Sequence, residues 1–271
     1  MRNFSVFIIF VLLVGCAHRG DERRELTEAK HYQEAHKLLE KKSYITAIDE
    51  LEELEARFPY GDYTEQAQLD LIYARFKALD YPEAVAQADR FIRSYPAHEH
   101  LDYALYLKGL SNFYLELGLF DRLSETDKAA RDLSSVREAF QDFDELVRRF
   151  PESPFSPDAR QRMVHIRNLL AEQELRAAHY YARRHAFIAS ANRAQFVIRH
   201  FQEAPAVPEA LAILSKSYEE LEQPELAQKS LTMLKGNWPD STYLNSNGEV
   251  ELEWWPSKDR QWLSLITFDL L

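Results

Sequence analysis

Five segments of the chain fall into register when they are aligned on their endings: KSYITAIDELEELEARFP (42–59), LDYPEAVAQADRFIRSYP (79–96), LSSVREAFQDFDELVRRFP (133–151), RRHAFIASANRAQFVIRHFQ (183–202) and EQPELAQKSLTMLKGNWP (222–239). One column reads Ala47, Ala84, Ala139, Ser190, Ala227, all small. Seven residues on stand Leu54, Phe91, Leu146, Val197 and Leu234, and four beyond them Phe58, Tyr95, Phe150, Phe201 and Trp238. The next column is Pro59, Pro96, Pro151, Gln202 and Pro239, so only the fourth copy departs. Small residues let antiparallel helices approach closely, and bulky ones seal the turn below. Proline stops the helix, because it lacks an N–H and restricts its predecessor.

These are the mechanics of the tetratricopeptide repeat, with its A-x₃-F…P pattern. The expected fold is all-α, a solenoid of five helix pairs with a C-terminal extension. Successive copies are offset by 37, 55, 51 and 37 residues, so two intervals carry extra chain. The first insertion, at about 118–135, is polar and reads as a loop with a short helix. The second leaves a run from Asp158 to Tyr181 without Pro or Gly, with Met163, Ile166, Leu170, Ala177 and Tyr181 at helical spacing. It predicts a first helix of repeat 4 lengthened by about four turns at ~3.6 residues each. First helices are expected at 26–40, 64–78, 100–117, 157–183 and 208–221, with Ala35, Ile72, Gly109 and Ser215 facing the small column. Pairs stacked in this way form a curved rod whose concave face binds partners, which favours a scaffold over a catalyst.

Composition narrows the function further. Without residues 1–15 the chain keeps 32 basic against 44 acidic side chains, a net charge of −12, which argues against nucleic acid and against adsorption to anionic lipid. Hydrophobic residues make up 46% of the chain, enough for a packed core. No apolar stretch after residue 15 is long enough to span a bilayer.

The start of the chain has its own logic. Arg2 precedes the apolar run Phe4–Val14, then small Gly15 and Cys16, the single cysteine of the chain. A positive start and a short apolar run define a secretory signal peptide. Leu13-Val14-Gly15-Cys16 resembles the lipobox of bacterial lipoproteins, which implies cleavage before Cys16 and acylation of it. Several acyl chains anchor a protein stably where one holds it marginally. The other reading of Cys16 is a free, buried thiol. Ala17 stands where such lipoproteins carry Asp for inner-membrane retention, so the resemblance implies the outer membrane. The expected organisation is signal peptide 1–15, lipidated terminus and tether 16–25, repeats 26–239 and extension 240–271.

Within the repeats, the segment Arg57–Leu110, with RFPYG-Y, QLDLIYA and DRFIR…P-H…DY, resembles the BamD family, lipoprotein subunits of the β-barrel assembly machinery of Gram-negative outer membranes. The resemblance runs from about 13 to 239 and fades in the longer tail. It implies a periplasm-facing adaptor without cofactors. Its implied partners are the Omp85-type barrel subunit, through a POTRA domain, other assembly lipoproteins, and unfolded outer-membrane proteins. Phe58 matches an aromatic position, Tyr in other members, associated with substrate recognition; Arg193, beside Asn192, matches an Arg linked to communication with the barrel subunit. The alternative is a repeat lipoprotein that scaffolds peptidoglycan enzymes or links the envelope to the cell wall.

Several residue groups compete for a site. Phe58, Tyr60 and Tyr63 read as an aromatic platform for a client signal, although Phe58 also belongs to the turn-sealing column. Residues 157–201 hold eight Arg, among them Arg183, Arg184 and Arg193, against three acids. This local excess reads either as a docking surface for an acidic partner or as a solvated face. His98, His100, His179 and His185 lack closed metal-site spacing. No G-x-S-x-G or glycine-rich phosphate loop is present, so no enzymatic role is expected. Trp254, Trp255, Trp262 and Phe268 in the tail predict a cap folded on the fifth repeat, with partner docking as the alternative.

Overall fold

The computed structural model describes residues 26–117 and 133–256. They form ten α-helices: α1 (Glu28–Glu40), α2 (Tyr44–Arg57), α3 (Thr64–Lys77), α4 (Tyr81–Ser94), α5 (Leu101–Leu117), α6 (Ser134–Arg149), α7 (Ser156–Arg183), α8 (Phe187–His200), α9 (Val207–Glu220) and α10 (Pro224–Asn237). Every expected first helix is present within two residues of its expected start, and the fold is all-α and TPR-like. The chain divides into two compact units after Leu115, so the third pair is split between them. The signal peptide, Cys16, the tether, most of the first insertion, Trp262 and Phe268 lie outside the described residues.

Within a repeat, four first helices end the same way. Lys42, Leu79, His185 and Glu222 adopt φ of 59°, 64°, 58° and 56°, the left-handed region, between the helices of pairs one, two, four and five. The following amide reaches back over the last turn: Ser43 N–H to Leu38, Asp80 to Arg75, Ala186 to Tyr181 and Gln223 to Tyr218, each at 2.9–3.0 Å. This is the Schellman arrangement, which satisfies carbonyls the helix end would orphan. Glycine is its usual occupant, yet none of the four is Gly.

After each of the five repeats a second turn recurs. The carbonyls of Phe58, Tyr95, Phe150, Phe201 and Trp238 accept the amides of Gly61, His98, Ser153, Ala204 and Ser241. The carbonyls of those five accept in turn from Thr64, Leu101, Ser156, Val207 and Leu244. The fourth copy, with Gln202 in place of proline, makes the same turn at 2.9 and 3.1 Å. Its geometry therefore comes from the bulky residue closing the helix, and proline reinforces it.

The aligned columns are the core. Ala47, Ala84, Ala139, Ser190, Leu54, Phe91, Leu146, Val197 and Leu234 are fully buried, and Ala227 nearly so. Close approach at the small column is visible as hydrogen bonds: Ser215 Oγ donates to the Ala227 carbonyl at 3.1 Å, and Ser190 Oγ to that of Ala178 at 2.9 Å. Ala178 is thus the repeat-4 counterpart of Ala35, Ile72 and Ser215.

The lengthened helix is α7, 28 residues where α8 has 14. Its inward face differs from the expected one. Of the predicted stripe only Ile166 is fully buried; Met163, Leu170, Ala177 and Tyr181 are half-exposed, and the buried line runs through Leu169, Ala171, Leu175, Ala178 and Ala182. The register follows Ala178, which must face Ser190, rather than the largest apolar residues. No helix among the described residues is long and apolar enough to cross a membrane.

Candidate binding surfaces

In the first unit, α1 presents Glu28, His31, Tyr32 and Ala35 on one side, at the i, i+3, i+4, i+7 spacing of a single helical face. The Glu28 carboxylate accepts the amides of Asp62 and Tyr63 at 3.2 and 2.7 Å, pinning the RFPYGDY turn to α1. A Cβ on Gly61 would collide with that carboxylate, so the Glu28 side chain can sit against the turn in this way only while residue 61 is glycine. Thr64 Oγ1 accepts from Gly61 N–H at 3.0 Å and donates to the Phe58 carbonyl at 2.5 Å. Tyr63 stacks on Tyr32, centroids 4.9 Å apart and planes 25° off parallel, and the Tyr32 hydroxyl donates to Asp70 at 3.1 Å. Burial beside the Asp70 charge pushes the Tyr32 phenol well above its ordinary value, and burial raises the Asp70 carboxyl in turn.

The three predicted aromatic residues therefore sit differently. Tyr60 is 99% exposed and free to be touched, Tyr63 presents one face, and Phe58 is half-buried with its ring 6.1 Å from His31. The sequence missed the network beneath them. His31, fully buried, lies with Nδ1 2.5 Å from Glu50; Arg57 approaches His31 Nε2 at 3.4 Å and pairs with Glu53 at 2.9 Å. His31, Glu50 and Glu53 could together hold a metal ion, but the Arg57 guanidinium already puts positive charge against His31 and Glu53. The signal that could have found this network is the polar stripe of α1.

In the second unit, Arg183, Arg184, Asn192 and Arg193 are all exposed. Asn192 and Arg193 line a depression of about 340 Å³ with Tyr181, Ala189 and Phe196, while Arg183 and Arg184 lie outside it at the turn between α7 and α8. Arg184 stands over the Tyr180 ring at 4.8 Å. Arg193 donates to Glu174 at 2.9 Å, and that hydrogen bond holds its guanidinium still more firmly protonated. Arg162 and Arg167 pair with Asp158 and Glu203, so part of the local positive excess is neutralised within the unit. Arg183 and Arg199 carry no ion pair among the described residues. Ile188 and Phe196, 66% and 42% exposed, add apolar area beside these cations. The arrangement suits an acidic surface with an apolar centre.

Histidines do not gather as metal sites at the positions singled out in the sequence. His98 approaches Glu65 at 3.5 Å, and His100 approaches Glu99 at 3.7 Å. His179 meets Glu209 at 2.8 Å, and the His185 ring lies edge-on to Phe187.

The described part of the tail, 240–256, folds onto the fifth repeat, Val250 and Leu252 joining Leu211, Leu214 and Leu234 in one buried cluster. It leaves Leu226 and Met233 of α10 exposed at 42% and 41%. It also reaches the fourth repeat, with Trp254 on His179 of α7 and Trp255 on Phe187 of α8, while Tyr243 is hydrogen-bonded to Glu209 of α9 at 3.1 Å. α10 is polar on its outer side apart from those two residues, so there is little apolar area there for a cap to bury, whereas α7 and α9 offer aromatic and charged anchors.

Comparison with known proteins identifies the family. The family described as YfiO, outer membrane lipoprotein, matches residues 24–234. The chain is 39% identical over 250 residues to the outer membrane protein assembly factor BamD of Neisseria meningitidis serogroup B, covering 90% of this chain and 94% of that one. It is 35% identical to BamD of Vibrio cholerae, covering 87% and 98%, and 32% identical to BamD of Haemophilus influenzae, covering 90% and 92%.

Proposed function

Because the chain belongs to the YfiO family of outer membrane lipoproteins and is similar over 90% of its length to a BamD assembly factor, we propose that it is a non-enzymatic adaptor in the assembly of outer-membrane proteins. Its second unit holds the barrel-forming subunit of Omp85 type through a POTRA domain, with Arg193 and Asn192 at the centre and Arg183 and Arg184 at the edge. Its first unit meets unfolded outer-membrane clients, with Tyr60 and Tyr63 as the reachable aromatic side chains and Phe58 as their support. Cys16 carries the acyl chains that anchor it to the periplasmic side of the outer membrane, where other assembly lipoproteins join it.

The observation that carries the docking half of this reading is the exposed Arg193 beside the apolar depression of Tyr181, Ala189 and Phe196. A charge rimming an apolar patch steers an acidic partner and fixes its register. Photo-crosslinking in cells from positions 193 and 60 tests it. Adducts with a barrel inserter from 193 and with nascent outer-membrane proteins from 60 are expected. Adducts with peptidoglycan enzymes alone would transfer the chain to the envelope-scaffold reading. For the anchor, acyl labelling of wild type and its loss in Cys16→Ser is the expected result; equal labelling would remove Cys16 from the account.

A further inference from the structure

Residues 238–244 repeat the turn that elsewhere launches a first helix, yet no sixth helix follows among the described residues. Asn245 Oδ1 accepts the amides of Asn247 and Glu249 at 3.0 and 2.9 Å, and Gly248 takes φ +74°. The chain doubles back, with Asn245 N–H donating to the Glu249 carbonyl and Glu251 N–H to that of Tyr243. This return buries Val250 and Leu252 in the unit-2 core. It also lays Trp254 over the His179 ring at 4.0 Å and Trp255 parallel to Phe187 at 5.8 Å. Glu209 meets both the Tyr243 hydroxyl and the His179 ring. The returning segment thus lies across the face of α7 and α9, the first helices of repeats 4 and 5, as a bound peptide would lie.

We propose that residues 243–255 are a displaceable strap, a ligand held in cis whose place is taken by an extended partner segment carrying neighbouring aromatic side chains. Three features support this. The backbone hydrogen bonds of the strap are its own short hairpin, so leaving the face breaks none to α7 or α9 among those observed. Its polar anchorage converges on one carboxylate, Glu209. Trp255 Nε1 is buried without a hydrogen-bond partner among the described residues, a penalty that an incoming segment need not carry. The partner's chemistry is read from the strap itself: rings to lie on His179 and Phe187, and a hydroxyl for Glu209. The site is separate from the Arg193 depression, so the proposal stands or falls independently of barrel-subunit docking.

The test uses the full chain and a labelled peptide of residues 241–256 added in trans. Tethering gives the cis strap a high effective concentration, so wild type is expected to bind the peptide at least about tenfold more weakly than Trp254→Ala/Trp255→Ala. Adding Glu209→Ala to that variant should return binding to the wild-type level. Equal affinity for wild type and the double variant, with helix content intact by circular dichroism, would overturn the proposal. Hydrogen exchange in wild type serves if the variant fails to fold. The Asn245 and Glu251 amides should exchange at least about a hundredfold faster than those in the middle of α9 by local opening, and equal rates would overturn it. A dimer that exchanges straps between copies would assign the face to a second copy and likewise overturn the partner-segment claim.

Discussion

The turn after repeat 1, Phe58-Pro59-Tyr60-Gly61-Asp62-Tyr63-Thr64, and the turn after repeat 5, Trp238-Pro239-Asp240-Ser241-Thr242-Tyr243-Leu244, share one hydrogen-bond pattern and lead to different structures. In the first, Thr64 opens a helix of good formers, and Tyr63 stacks on Tyr32. In the second, Leu244 is followed by Asn-Ser-Asn-Gly, side chains that compete with the helix for backbone hydrogen bonds and then a glycine, and Tyr243 turns its hydroxyl to Glu209. The closing aromatic sets the turn, and the next four residues decide whether the solenoid continues or folds back on itself.

The largest expected effect comes from removing the buried leucine one helical turn before each closing aromatic. Leu54→Ala and Leu234→Ala, both at fully buried positions, should each cost about 2–5 kcal/mol in denaturant unfolding. Because Leu234 packs in the same cluster as the strap, its loss alone should also speed exchange at Glu251, and Leu54→Ala should leave that amide unchanged.

A smaller effect isolates the Glu28 pin. Gly61→Ala displaces the carboxylate from the turn amides and should cost about 1 kcal/mol. In a Glu28→Ala background the same change should cost almost nothing, and a double-mutant cycle measures the coupling.

Relief of the left-handed residues should be comparable in size and opposite in sign. Leu79→Gly in unit 1 and Glu222→Gly in unit 2 should each stabilise by about 0.5–1 kcal/mol, the left-handed penalty less the extra entropy of glycine, read from thermal unfolding.

The smallest effect is electrostatic and contrasts Asp70 with Glu209, each holding a tyrosine hydroxyl. Burial raises the folded-state carboxyl of Asp70 above its ordinary value, so the native chain takes up a proton more readily than the unfolded one. The stability this withholds is missing at neutral pH and returns as pH falls through the raised value. Asp70→Asn should therefore be slightly more stable than wild type at neutral pH, with the advantage vanishing near pH 4, about the ordinary carboxylate value. Tyr243 is pushed up to about 12 by burial and then by the Glu209 charge, so its hydroxyl stays a donor throughout this range.

The repeat was legible because its signals are local and periodic: Ala47, Leu54 and Phe58 recur at fixed spacing and each does one packing task. The lengthened helix was legible for the same reason, but its buried face was not, since Ala178 is chosen by Ser190 on another helix. The Glu28 pin, the His31 network and the path of the strap depend on partners tens of residues away, with no periodicity to announce them. Arg193 was noticed as one of eight arginines and through the family resemblance; its pairing with Glu174 across 19 residues could not be read from spacing.

Isolation of the chain from outer membranes in mild detergent, comparing wild type with Arg193→Glu and with Arg148→Glu as a charge control at another exposed arginine, tests the adaptor claim most directly. The account predicts that an Omp85-type barrel subunit co-purifies with wild type and Arg148→Glu and is lost from Arg193→Glu. Retention of that subunit by Arg193→Glu, or its absence from wild type, would contradict it.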